Sequence, residues 1–88
     1  MSYRVTIAHE AEKILDRLDR ATERRIRLRI SQLAEDPFDP RISSLLVQRG
    51  GVRKSRVGGW RILYSADREV EILSVLTIDT RGQVYRHS

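Results

Sequence analysis

The sequence of 88 residues contains no cysteine. A disulfide framework, a thiol nucleophile and a cysteine-bound zinc are therefore excluded, and a reducing, cytoplasmic setting is expected. Histidine is almost as scarce, with only His9 and His87. That is too few for a histidine-rich metal site or a paired-histidine ribonuclease, so no metal and no cofactor is expected. Apolar runs are only a few residues long, and no segment is expected to span a bilayer. The opening Met-Ser-Tyr-Arg lacks the hydrophobic stretch of a secretory leader. So short a chain cannot build two cores, and residues 1–88 are read as one domain.

Acid is missing from one half. Residues 1–40 carry eight basic and eight acidic side chains, whereas residues 41–88 carry nine and four, which accounts for the whole net charge of +5. From Arg41 to Ala66 there are six basic residues and no acid. Such segregation is the footprint of a surface that meets a polyanion. Of the 17 basic residues 15 are arginine, whose planar fork matches phosphate.

Periodicity supplies the elements. Tyr3, Val5 and Ile7 alternate with Arg4 and Thr6, as in a strand with one buried face. Ala11, Ile14, Leu15 and Leu18 form a helical stripe, with charges opposite. Thr22 is the expected N-cap of a second helix that carries Ile26, Ile30, Leu33 and Ala34 on one side. Asp36-Pro37-Phe38-Asp39-Pro40 ends it. Residues 41–51 read as a loop with at most one helical turn, laying Leu45 and Leu46 on the core. Three strands follow: Val52 to Val57, Trp60 to Ala66 after a Gly58-Gly59 hairpin turn, and Val70 to Ile78 after the polar turn Asp67-Arg68-Glu69. The order β-α-α-β-β-β implies a two-layer α+β domain, with a helical hairpin on one face of a four-stranded, mainly antiparallel sheet.

The other face is where function is expected. If Trp60, Ile62 and Tyr64 point to the helices, Arg61 points away, and the turn sets Lys54 and Arg56 beside it. A slip of one residue would instead expose Arg53 and Ser55 and hide Lys54. Arg81, Tyr85 and Arg86 follow the last strand and can reach the same surface. Arginines there can neutralise a scissile phosphate and its developing charge, and a tyrosine can stack on a base. Trp60 reads as core, His9 as a helix-start residue, and Glu71 and Asp79 as partners for arginines.

These residues also carry a resemblance. Arg53-Lys54-Ser55-Arg56-Val57-Gly58-Gly59-Trp60-Arg61-Ile62-Leu63-Tyr64 resembles the hairpin of the RelE/ParE toxin superfamily, a basic strand, a glycine turn, an aromatic–Arg pair and a hydrophobic strand ending in Tyr. Thr80-Arg81-Gly82-Gln83-Val84-Tyr85-Arg86 is similar to the family's closing element. The opening strand, the Ala-Glu-Lys-x-Leu helix and the Leu-Ala-Glu-Asp-Pro end of the second helix fit too. The resemblance implies the toxin of a type II toxin–antitoxin pair. RelE-like members cut mRNA in the ribosomal A site, the 2′-OH attacking the phosphate, and so inhibit translation. ParE-like members inhibit DNA gyrase and lack the cleavage residues. In the RelE-like case the active positions are occupied here by Lys54, Arg56, Arg61, Arg81 and Tyr85, with Arg49, Arg53 and Arg86 as further RNA contacts. Lys54 stands either as a base or as a charge. That full set favours the mRNA endoribonuclease over the gyrase inhibitor. A non-catalytic nucleic-acid-binding module is the third reading. The implied partners are the ribosome, its mRNA and an acidic antitoxin anchored beside Leu28 and the 41–51 loop. The toxin alone is expected to be monomeric, and oligomeric with its antitoxin.

Overall fold

The computed structural model describes residues 2–80, and the expectations for Arg81, Tyr85 and Arg86 lie outside them. Alternating Val5 and Ile7 turn inward from β1 (Arg4–Ile7). Ala8 then enters α1 (His9–Arg17), whose Ala11 and Leu15 are fully buried with Ile14 and Leu18 against the core. The second helix, α2 (Arg20–Glu35), buries Ile26, Ile30, Leu33 and Ala34. Its N-cap is Asp19 rather than Thr22: the Asp19 carboxylate accepts from the Thr22 backbone N–H at 3.0 Å. The carboxylate lies three residues ahead of that amide, where it also meets the helix dipole. Arg27 fastens the two helices together, reaching Glu12 at 3.0 Å and Glu23 at 2.9 Å.

Beyond the two prolines comes a short strand, β2 (Ser44–Leu45), where a loop was expected. It pairs antiparallel with β3 (Arg53–Val57), which continues through the hairpin into β4 (Trp60–Asp67) and then β5 (Ile72–Thr80). The sheet therefore has five strands, in the order β1-β5-β4-β3-β2, and β1 runs parallel to β5. Two residues without alternation leave no periodic trace, which is why β2 escapes a sequence reading. The α+β class and the helical layer on one face stand. Val70 lies outside the last strand and is exposed.

The hairpin turn needs its glycine. Gly58 takes φ +61 in a two-residue loop between Val57 and Trp60, a left-handed backbone closed to side chains at low cost. Its register sets Ser55 against Ile62 and Val57 against Trp60. Val57, Ile62, Tyr64, Leu73, Val75 and Ile78 all join the helix-side core. The slip that would hide Lys54 has not occurred.

At the middle of that core Tyr64 is fully buried and its hydroxyl donates to the Pro37 carbonyl at 2.6 Å. The Ser43 hydroxyl donates to Tyr64, and Arg53 Nε donates to Ser43 at 2.7 Å. This directed chain satisfies every polar group it buries. Burial pushes the Tyr64 phenol above its ordinary 10.0, against the opposing pull of Ser43 and Arg53.

Opposite the helices lies a second, smaller cluster. Leu46, Val52 and Leu63 are buried with Leu76 packed on them. Leu76 is the additional residue of a bulge between Leu63 and Tyr64, which turns it to this side. Leu46 thus covers the far face of the sheet rather than the main core, and Leu45 is left 60% exposed. Toward the hairpin turn, Arg56 and Arg61 continue that face beyond the cluster.

Candidate nucleic-acid interface

Two rows of register partners define the open end. Ser44 opposes Lys54, Lys54 opposes Leu63, and Arg56 opposes Arg61, which in turn opposes Asp79. Because opposed residues share a face, Lys54, Arg56 and Arg61 stand together on the surface away from the helices. The sequence reading placed these three together, and the structure brings them there.

Their electrostatic states differ. Arg61 makes a two-pronged pair with Asp79, with Nε to Oδ1 and Nη2 to Oδ2 both at 3.0 Å. Its side chain is only 17% exposed and that of Asp79 31%. This planar fork is the strongest geometry an arginine offers a carboxylate. It fixes the guanidinium against the neighbouring strand and sets an opposite charge beside it. Lys54 and Arg56 form no ion pair among the described residues.

Arg53 does not reach this face. It sits opposite Tyr64, its guanidinium lies 5.1 Å from the Phe38 ring centre, and its Nε is bonded to Ser43. Arg68 stacks on the same ring at 4.1 Å. Arg53 is thus occupied on the helix side: parity along β3 turns it away from Lys54 and Arg56, so the structure does not bring it together with them. Arg49 is exposed in the turn that joins Leu46 to Val52. Trp60 is half-buried against the core, as expected.

A residue that no periodicity announced also belongs to the site. Arg29, on α2, reaches over the edge of the sheet. Its Nη1 donates to the Ser55 hydroxyl at 2.9 Å and to the Arg56 carbonyl at 2.8 Å, and its Nε donates to Gln32 at 3.1 Å. β2 begins at Ser44, opposite Lys54, so its pairing does not extend to Arg56, and Arg29 satisfies that edge carbonyl. A recess of about 270 Å³ opens here, walled by Arg29, Arg41, Ser44, Lys54 and Arg56 with Pro40, Ile42 and Ser43. No carboxylate among the described residues lines it. Among the described residues no three His, Asp or Glu side chains converge to hold a metal.

A helical hairpin on a five-stranded mixed sheet, with arginine and lysine gathered at one end of its open face, defines a small α+β protein with a basic surface. The chain belongs to the ParE toxin family of the type II toxin–antitoxin system parDE, whose model matches residues 5–85. Solved structures agree on the fold. The chain is similar to the toxin of the archaeal RelE–RelB complex from Pyrococcus horikoshii (26% identity, TM-score 0.80, covering 94% of this chain and 99% of that one). It is also similar to the RelBE2 toxin–antitoxin complex of Mycobacterium tuberculosis (25% identity, TM-score 0.75, covering 92% and 100%). The intact RelBE complex of E. coli matches at 16% identity and TM-score 0.78, covering 90% and 96%, a likeness of fold alone. No curated protein matches in sequence. Among the described residues no helix is long and apolar enough to cross a membrane.

Proposed function

We propose that this toxin is a ribosome-dependent endoribonuclease that cuts mRNA in the A site. The observation that carries the reading is the placement of Lys54, Arg56 and Arg61 on one open sheet face. In this reading the 2′-oxygen bonds to phosphorus and the 5′-oxygen of the next nucleotide departs. The proton lost by the 2′-OH ends on that departing oxygen. Lys54 and Arg56 supply positive charge to the phosphoryl oxygens, where charge builds up in the transition state. Arg61, held by its fork to Asp79, adds a third cation to the row. Arg81 and Tyr85 complete the set in the family resemblance, as cation and stacking ring. Alignment of a flexible RNA is worth roughly 7–11 kcal/mol. A handful of cations does not supply it, and the ribosome, by holding the codon in place, does. The partner that keeps the toxin idle is an acidic antitoxin, as the RelE–RelB complexes suggest.

One observation favours a second reading, gyrase inhibition. The Asp79 carboxylate offsets Arg61, the cation at the centre of the row. A surface so moderated suits binding to a protein target better than transition-state stabilisation.

The deciding experiment incubates the purified protein with programmed ribosomes carrying labelled mRNA, and separately with gyrase and relaxed plasmid. Cleavage confined to the ribosome tube and lost by about 10²-fold or more in Arg61→Ala supports the nuclease. Equal cleavage of free mRNA overturns ribosome dependence. Lost supercoiling without cleavage establishes the second reading, and neither effect reduces the surface to a binding module.

A further inference from the structure

We infer that the recess at the β2–β3 edge is a phosphate-binding subsite for the RNA backbone, separate from the scissile position and built on Arg29. The inference rests on reading the open sheet face as an RNA-contacting surface, and it adds residues that reading did not contain.

Three cations meet around this recess without an acid to offset them. Among the described residues, neither Arg29 nor Lys54 nor Arg56 forms an ion pair. Their convergence costs like-charge repulsion, which an arriving anion relieves. Arg29 is also held in advance. Three hydrogen bonds, to Ser55, to the Arg56 carbonyl and to Gln32, use its Nε and Nη1. Its Nη2 donates to no described residue. A guanidinium fixed on one edge, with its other edge free, loses little further freedom when it grips an oxygen. The Ser44 hydroxyl adds a neutral donor in the same wall. Arg41 completes the rim. It pairs with Asp39 at 3.0 Å, but its side chain is 87% exposed, so a phosphate can compete for it in water.

The location determines what kind of anion fits. Lys54 and Arg56 line the recess and also stand in the row with Arg61. A strand of RNA lying along Arg61 and Arg56 therefore delivers a neighbouring phosphate over the sheet edge to Arg29. A recess whose described walls hold arginine, lysine and serine, with no aromatic ring and no carboxylate among them, has donors for phosphate rather than for the edges of a base. The subsite sets the register of the strand and does not depend on its sequence.

The test measures binding of a fluorescent single-stranded 2′-O-methyl oligoribonucleotide, which cannot be cut, across a salt series. Wild type is compared with Arg29→Gln, Arg41→Gln and Arg41→Lys, and with Arg68→Gln as a control on the Phe38 side. Arg29→Gln should weaken binding about fivefold, the scale of one exposed charge contact. It should flatten the slope of log affinity against log salt by about 0.7, the value for one lost phosphate on a single strand. Arg41→Gln should do the same more weakly, and Arg41→Lys should restore the slope. A single methylphosphonate linkage that weakens wild type but has no further effect in Arg29→Gln places the contact on one phosphate. Unchanged slopes in both glutamine variants overturn the inference. So does a loss of binding to a Glu-rich peptide with oligonucleotide binding intact, since the recess then serves an acidic polypeptide. Arg29→Gln is interpreted only if its melting temperature shows it folded; otherwise Arg41→Gln decides. Failure of the proposed function reads differently: no mRNA is cleaved on ribosomes, while the slope changes persist.

Discussion

Replacing Asp79 with asparagine separates a brake from a strut. Asparagine is nearly the same shape and keeps one oxygen for the Arg61 fork, so the change removes a charge and little else. Two effects of opposite sign follow. The fork joins side chains that are 17% and 31% exposed. Its loss should cost about 1 kcal/mol, near the upper end for partly exposed pairs. For a domain of this size that is a fall of about 4–8 °C in melting temperature. Affinity for a polyanion should move the other way. A phosphate drawn to Arg61 is taken to approach within about 6 Å of the Asp79 carboxylate. The repulsion there is about 3 kcal/mol at an effective dielectric near 20. Salt and water reduce it to about 1 kcal/mol, or about fivefold in affinity. Anisotropy with the uncleavable oligonucleotide, beside a thermal melt, reads both. Asp79→Asn should bind more tightly, with a steeper salt slope, while melting earlier. Affinity that is unchanged or lower, with the melting temperature reduced as expected, would refute the reasoning and show that Asp79 orients Arg61 rather than opposing the ligand.

Three further outcomes are expected from the fold. Tyr64→Phe leaves the Pro37 carbonyl and the Ser43 hydroxyl without their buried partner; it should cost about 1–3 kcal/mol in urea denaturation, and a cost below about 0.5 kcal/mol would mean water replaces the phenol. Glu71 holds a left-handed φ of 55 without being glycine; Glu71→Gly should raise stability by about 0.5–1 kcal/mol, and a loss would show that its side chain contributes more than the backbone strain costs. The Asp19 carboxyl is held below its ordinary 3.8 by hydrogen bonding to Thr22. A depressed folded value stabilises fully above 3.8 and ceases to do so as the pH falls through that lower value. Asp19→Asn keeps the cap without the titration, so its melting temperature should fall less on acidification than that of wild type, and parallel curves would contradict the assignment.

What the sequence made legible is what repeats along the chain. Period-2 alternation through Trp60, Ile62 and Tyr64, tied by a glycine turn to β3, was enough to put Lys54, Arg56 and Arg61 on one face. Helical stripes named Ala11, Leu15, Ile26, Ile30 and Leu33, all of which are buried. What failed depends on contacts distant in the chain. Asp19 rather than Thr22 caps α2 because the choice turns on one backbone angle at the junction of two helices. Leu46 packs on the far face because a bulge at Leu76 makes a place for it. Arg29 is 27 residues from the carbonyl it satisfies. On a helix it reads as one more solvated charge, and nothing in its own neighbourhood points to the sheet edge.

The same geometry explains why an acid stands in the middle of a basic surface. Arg56 and Arg61 are direct register partners, and like charges so opposed destabilise a sheet. The short hairpin leaves neither strand room to shift, since its register fixes every side chain to a face. Two remedies are visible. Asp79 stands on the far side of Arg61 and binds its fork, drawing that charge away from Arg56. Arg29 takes the Arg56 carbonyl and Ser55, stiffening the edge strand from the helix layer. The first remedy lowers the field of the surface and the second adds a cation to its edge. Among the described residues the cations without an ion pair, Arg29, Lys54 and Arg56, therefore lie toward the recess. On the proposed reading, a polyanion approaching this face meets the β2–β3 edge first and has to compete with Asp79 for Arg61. The tests on Asp79 and Arg29 address two halves of one device, and their effects on binding should be closer to additive than the distance along the face alone would suggest, because each acts on a different phosphate.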